Sequence, residues 1–199
     1  MSDRETTGSA LSRAAGVVLA AGAGTRYGVP KALSRAADGT PWLQLTVQRL
    51  LDGGCSYVTV VLGASAEEAR QLVPSDPRVD TVVEAHWTDG VGVSLRAGMR
   101  RLKASAPPSV SAAVITRVDL PDLPVAVVKR LVGAVSVTTL RHATVAGRPA
   151  HPIVVGRQHW PAFTRELRGD ADGLAFLAAR DAAPIEAGDL WSRRGLAAP

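Results

Sequence analysis

Short runs of unbroken apolar residues alternate along this chain with longer stretches whose apolar positions recur every three or four residues. The first run, AGVVLAA, is small and β-branched and closes on Gly22, the pattern of a strand buried on both faces. YVTVVLG, DTVVEA and SAAVITRVDLPDLP read as further strands, the last ending in an aspartate and a proline. Between them, PWLQLTVQRLLDGG carries Leu43, Val47, Leu50 and Leu51 at helical spacing and stops at Gly53 and Gly54, a C-terminal cap signal. SAEEARQLV predicts a helix opened by Ser65 with acidic residues in its first turn. GVSLRAGMRRLKA puts Leu95, Met99 and Leu102 on one face, with Arg96 and Arg100 on a solvated face. VAVVKRLVGAV is the next helix, and VTTLRHATVAGRPAHPIVVG reads as β-structure turned at AGRP. QHWPAFTRELRG and DGLAFLAARDA are helical by period, and GDLWSRRGLAAP forms a final short element.

Strands alternating with helices predict an α/β fold: a Rossmann-like three-layer α/β/α sandwich around a mostly parallel sheet. Residues 1–14 show neither period and read as a mobile tail, which leaves 15–199 as a single domain. Repeats, low-complexity runs and linkers are absent from the sequence.

Composition narrows the function. With 199 residues, 46% of them apolar, the chain can bury a core unaided. Cys55 is its single cysteine, so an internal disulfide or a CxxC pair is excluded, and a reducing cytoplasm is the expected location. The N-terminus lacks a signal-peptide pattern and no apolar run approaches membrane-spanning length, so no membrane partner is expected. The charge of +5 arises from 23 basic and 18 acidic residues dispersed along the chain. It favours a small polyanionic ligand. With aromatics at 4%, the interleaved basic and aromatic pattern of a nucleic-acid binder is missing.

The segment VVLAAGAGTRYGVPKAL, Val17 to Leu33, carries the first chemical signal. Gly22 and Gly24 follow the first strand directly, and Thr25, Arg26 and Lys31 come after. Glycines let backbone N–H groups approach anionic oxygens, an arginine forks across two of them, and a lysine adds a compact charge. The GxGxxG pattern fails at Tyr27, and the P-loop fails for want of Gly-Lys-Ser/Thr. An ordinary strand-to-helix turn is the competing reading. Asp119 falls at the C-terminal end of a predicted buried strand, where doubly wound sheets bind ligands. It is either a hard-cation ligand or a helix cap, with Asp122 the more exposed candidate for the cap. Ser94 either bonds a base edge or caps its helix. Gly90, Gly92 and Gly98 permit a flat ring to approach the backbone. His151 and Asp170 each have a binding reading beside a packing or capping one.

LAAGAGTRYG followed by Pro30 and Lys31 resembles the signature loop of nucleotidyltransferases that join a nucleoside monophosphate to a sugar phosphate, an alditol phosphate or molybdopterin. Within that group the chain resembles the MobA-like NTP transferases, and most of all the molybdopterin cytidylyltransferase branch. DGVGVSLRAGM resembles the branch's nucleobase motif, RVDLPDLP its Asp-x-Pro motif, and AGRPAHPIVVG with RGDADG its acceptor-facing segments. The resemblance spans roughly Ala15 to Arg180.

It implies a nucleotidyltransferase-type fold and a Mg²⁺-dependent transfer of a nucleoside monophosphate, CMP from CTP in preference to GMP from GTP. The acceptor would be a phosphorylated small molecule, molybdopterin in that branch, with a molybdoenzyme as a possible partner. Leu19, Ala20, Ala21, Gly22, Gly24, Thr25, Arg26, Lys31, Gly92, Ser94 and Gly98 would bind the nucleotide. Arg26, Lys31 and Asp119 would be catalytic, Asp119 and Asp170 would hold the metal, and His151 and Asp170 would face the acceptor. The chain departs from the branch at its Gly-Asp-x-Gly arrangement, where Asp172 takes the second Gly position and Leu174 follows. That departure keeps two alternatives open: a sugar- or alditol-phosphate acceptor, and a non-catalytic nucleotide-binding accessory protein.

Overall fold

The computed structural model describes residues 13–24 and 28–192. Strand β1 (Arg13–Ala20) leads through a loop and a 3-10 turn (Lys31–Leu33) to helix α1 (Trp42–Asp52). There follow β2 (Cys55–Leu62), α2 (Ala66–Arg70), β3 (Val79–Val83), a 3-10 turn (Trp87–Asp89), α3 (Val91–Ser105), β4 (Val110–Arg117) and α4 (Val125–Val132). The chain then runs through β5 (Leu140–Val145), β6 (Arg148–Gly156), α5 (Trp160–Glu166), α6 (Leu174–Ala178) and β7 (Ala183–Glu186).

The strands form one sheet in the order β3-β2-β1-β4-β6-β5-β7. Only β6 runs against the rest: it pairs antiparallel with β4 and β5, while the other pairings are parallel. Its reversal follows from the two-residue turn at Ala146 (φ 52°) and Gly147 (φ 73°), a left-handed pair that matches strand twist in a tight hairpin.

The period of two along β1 sorts its side chains between two cores. Ala14, Val18 and Ala20 pack with Leu43, Val47 and Leu50 of α1 and Val128 and Leu131 of α4. Ala15, Val17 and Leu19 pack with Leu95, Met99 and Leu102 of α3 and Trp160 and Phe163 of α5. Helices thus cover both faces of a largely parallel sheet, the three-layer α/β/α sandwich expected from the alternation. No helix among the described residues is long and apolar enough to cross a membrane.

β1 lies between β2 and β4, so the chain winds outward from it in both directions. The C-terminal ends of β1 and β4 therefore open a crevice at the switch point, the place where such sheets accept ligands.

Several local expectations change. Arg13 and Ala14 already belong to β1 and pair with β4, so the ordered sheet begins before residue 15; residues 1–12 lie outside the described residues. Ser65 stands at the N-cap of α2 with φ 51° and makes no side-chain capping bond. Asp122 is not a cap either: its Oδ2 accepts a 2.9 Å hydrogen bond from Trp191 Nε1, and the N-cap of α4 is Pro124. Strand β7, only four residues long and containing Pro184, was not legible from periodicity. The final element is a turn that buries Trp191 to 4% exposure, and residues 193–199 lie outside the described residues.

Candidate active site

A cleft of about 590 Å³ opens at the switch point, within the size range of small-molecule sites. One wall is the end of β1 and its loop: Leu19, Ala20, Ala21, Gly22, Ala23, Gly24 and Lys31. Another is the 3-10 turn and the start of α3, with Trp87, Thr88, Gly90, Val91 and Ser94. The end of β4 supplies Arg117, Val118 and Asp119, and the loop before α6 supplies Asp170 and Asp172.

The two loop glycines have different reasons. Gly24 has φ +63°, and a Cβ there would fall 2.1 Å from Val29 O, so the loop's return on itself requires glycine. A Cβ on Gly22 would meet no atom of the described residues within 4 Å. Gly22 lines the cleft, so no packing contact among the described residues calls for glycine there. Thr25 and Arg26 lie outside the described residues.

Asp119 is the electrostatic centre. Arg117 donates to it through Nε (3.0 Å to Oδ1) and Nη2 (2.8 Å to Oδ2), and Lys31 donates through Nζ at 2.5 Å to Oδ2. Asp119 is 7% exposed. Burial opposes its charge, yet the field of Arg117 and the bonds from Lys31 and Arg117 outweigh it and hold the pKa below the usual value. The carboxylate is ionised near neutrality, and α4 begins six residues later, so the helix-cap reading falls away.

Across the cleft, the carboxyl of Asp172 accepts a 3.0 Å bond from Leu174 N–H through Oδ1. His151 Nε2 stands 3.7 Å from its Oδ2. That histidine is the main cause of a lowered Asp172 pKa, against the effect of burial. His151 is 5% exposed, and its Nδ1 lies 3.3 Å from Ile115 O, so it stands behind Asp172 and not on the cleft wall. Asp170 is exposed at the rim.

Two glycines expected to face a ring do other work. Gly98 presses α3 onto the sheet: a Cβ there would fall 2.6 Å from Val61 Cγ2 and 2.8 Å from Val17 Cγ1. Gly92 donates its N–H to Gly169 O at 2.7 Å, tying α3 to the loop before α6. Ser94 lies within α3, whose N-cap is Gly90, so it is a cleft residue (3% exposed) and not the cap. Arg96 is not simply solvated, since its Nη2 donates to Leu167 O.

Trp87 and Arg117 were missed as site residues, and Asp172 was noted only as a departure. Arg117 had only the signal of an arginine two residues before the aspartate: β4 ends at Arg117 and Asp119 lies in the turn beyond it, so the turn brings the two side chains together. Trp87 had none, because its place depends on Gly63, where a Cβ would fall 2.8 Å from both Ala21 Cβ and Trp87 Cγ.

The cleft can hold a polyanion between a glycine loop and a cation-bearing wall. As a hard oxygen donor Asp119 suits a divalent cation, with Asp170 on the same cleft. Among the described residues, no group of three or more His, Cys, Asp or Glu side chains is arranged to hold a metal ion by itself. Asp119 and Asp170 are the carboxylates expected from the sequence to hold Mg²⁺, and both line the cleft; that ion is typically held by one or two carboxylates plus substrate phosphates and water.

Comparison with known proteins identifies the family. Nicotine blue oxidoreductase of Paenarthrobacter nicotinovorans is 33% identical over 171 residues, covering 81% of this chain and 80% of that protein. The crystal structure of Rv0371c from Mycobacterium tuberculosis H37Rv superposes with a TM-score of 0.72 at 25% identity, over 88% of this chain and 89% of that one. Rv0371c in complex with manganese superposes with a TM-score of 0.70 at 23% identity, over 88% and 87%. The MobA-like NTP transferase domain matches residues 16–184. With that domain spanning nearly the whole sheet and every wall of the cleft, the chain belongs to the MobA-like NTP transferase family.

Proposed function

We propose that the protein transfers a nucleoside monophosphate, CMP from CTP, to a phosphorylated small-molecule acceptor of the molybdopterin type, releasing pyrophosphate. The observation that carries this reading is the ionised Asp119 just past the end of β4, paired with Lys31 of the glycine loop on the wall of a cleft. Family membership implies a nucleoside triphosphate as donor.

An acceptor phosphate is ionised at neutral pH and attacks the α-phosphorus in line without a side-chain base, so catalysis is positioning and charge neutralisation. The backbone from Leu19 to Gly22 forms the floor beneath the nucleotide, and Ser94 and Trp87 bound the base end. Lys31, with Arg26 of the same loop, neutralises the leaving pyrophosphate. Asp119 and Asp170 would hold Mg²⁺, which when bound supplies charge neutralisation to the phosphate oxygens. Asp172, backed by His151, bounds the acceptor side.

The test is incubation with Mg²⁺, each NTP, and molybdopterin or a panel of sugar and alditol phosphates, following pyrophosphate and the coupled product. Transfer from CTP to molybdopterin is expected. Product only with a sugar or alditol phosphate changes the acceptor, and nucleotide binding without turnover with any acceptor indicates an accessory binding protein.

A second reading rests on the 33% identical relative named for oxidoreductase activity on nicotine blue. Absorbance of that dye with NADH or NADPH tests it: an unchanged spectrum removes the reading.

A further inference from the structure

The carboxylate assigned to a metal already has its oxygens engaged. Asp119 Oδ1 accepts from Arg117 Nε, and Oδ2 accepts from both Arg117 Nη2 and Lys31 Nζ. Three of roughly four lone-pair positions are occupied, and two positive charges face one negative charge. A divalent cation arriving alone would find one position open, on Oδ1, and would sit beside both cations unless a donor left.

The two donors differ in freedom. Lys31 has a side chain 23% exposed and stands at the start of a 3-10 turn against the core, whereas Arg117 has a side chain 45% exposed at a strand end. Among the described residues, the Arg117 side chain donates hydrogen bonds to Asp119 only, through Nε and Nη2. Its charge also reaches Asp172, which it helps keep ionised. Arg117 lines the same cleft as Asp119 and Asp172, the carboxylates that bound its donor and acceptor halves.

We propose that Arg117 is an exchange residue: its guanidinium covers Asp119 until a metal–nucleotide complex takes that carboxylate, then turns its fork onto the acceptor phosphate. The inference rests on the nucleotide-transfer reading of the cleft. A guanidinium suits both partners, since its paired N–H groups match carboxylate and phosphate alike. The triphosphate supplies the negative charge that makes the exchange favourable, so metal binding at Asp119 is coupled to nucleotide binding, and by linkage the coupling is reciprocal. Arg117 is a positioning residue towards Asp119 and a specificity residue for acceptors that bear a phosphate.

The test uses Mn²⁺ as the probe, titrated into nucleotide-free protein and followed by its paramagnetic resonance signal, in wild type, Arg117→Met and Arg117→Lys. Arg117→Met is expected to bind Mn²⁺ about tenfold tighter than wild type, because the covering fork is gone. Arg117→Lys, which keeps the charge and loses the fork, falls between them. With a non-hydrolysable CTP analogue bound, the Mn²⁺ affinities converge, while inorganic phosphate binds the Met variant about tenfold more weakly. Circular dichroism and melting temperature confirm that the variants are folded, and the Lys variant alone carries the comparison if the Met variant is not. Equal Mn²⁺ affinity across the folded proteins overturns the exchange even if pyrophosphate release is normal. Tightened Mn²⁺ binding in a protein that releases no pyrophosphate supports it and removes only the substrate assignment.

Discussion

Asp119 Oδ2 and Lys31 Nζ meet at 2.5 Å although 88 positions separate them in the chain. The contact joins the loop leaving β1 to the loop leaving β4, the two adjacent parallel strands at the switch point. It sets the spacing of the cleft and concentrates charge where a triphosphate would lie. Asp119→Asn keeps the shape and removes the charge, and pyrophosphate release should fall by at least about 100-fold. Asp119→Ala leaves Lys31 and Arg117 facing one another and should also lower stability by about 1–3 kcal/mol, measured by urea unfolding. Transfer at the wild-type rate in either variant would refute the role given to Asp119.

The same carboxylate makes stability depend on pH. Its folded-state pKa lies below the ordinary value of 3.8, so the ionised form favours the folded state. That contribution is complete above about pH 5 and fades as pH falls through the folded-state pKa, where both states hold the proton. The stability gap between wild type and Asp119→Asn should be widest near neutrality and narrow below about pH 4. A gap that grows on acidification would reverse the assigned direction.

Gly98 and Gly22 should respond in opposite ways to alanine. At Gly98 the added methyl would overlap Val61 and Val17, so stability should drop by about 1–3 kcal/mol while CTP affinity of the folded protein stays near wild type. At Gly22 the methyl meets none of the described residues and enters the cleft. Stability should stay within about 0.5 kcal/mol, and CTP should bind roughly tenfold more weakly because the backbone is no longer approachable. Calorimetric titration with thermal melting separates the two effects.

Cys55 opens β2 and is buried at 3% exposure in the core shared with α1 and α4, and burial pushes its thiol up to about 12. An aromatic disulfide reagent should leave it untouched in the folded protein and modify it at once in denaturant, since the thiolate is the reactive form. Rapid labelling under native conditions would show that this face opens.

Much of the molecule is local information. The unbroken apolar run AGVVLAA, the helical spacing of Leu95, Met99 and Leu102, and the alternation of such segments fix a largely parallel sheet covered on both faces, because burying those faces has few other solutions. The glycine loop and the strand-end aspartate were visible for the same reason. Glycines after a buried strand and a charge at its end are unusual enough locally to be read one residue at a time.

Only the tertiary structure decided which partners those residues meet. Gly98 and Gly22 look alike in the sequence, and one packs against two valines while the other lines the cleft. His151 and Asp172 lie 21 positions apart, and the reversal of β6 puts the histidine behind the aspartate instead of on the cleft wall. Arg117 acquires its place because β4 ends beside β1 and the Lys31 loop crosses the same gap. Sequence patterns report the faces of single elements. The charge balance of the cleft depends on distances between the ends of different strands, which are set only when the sheet assembles.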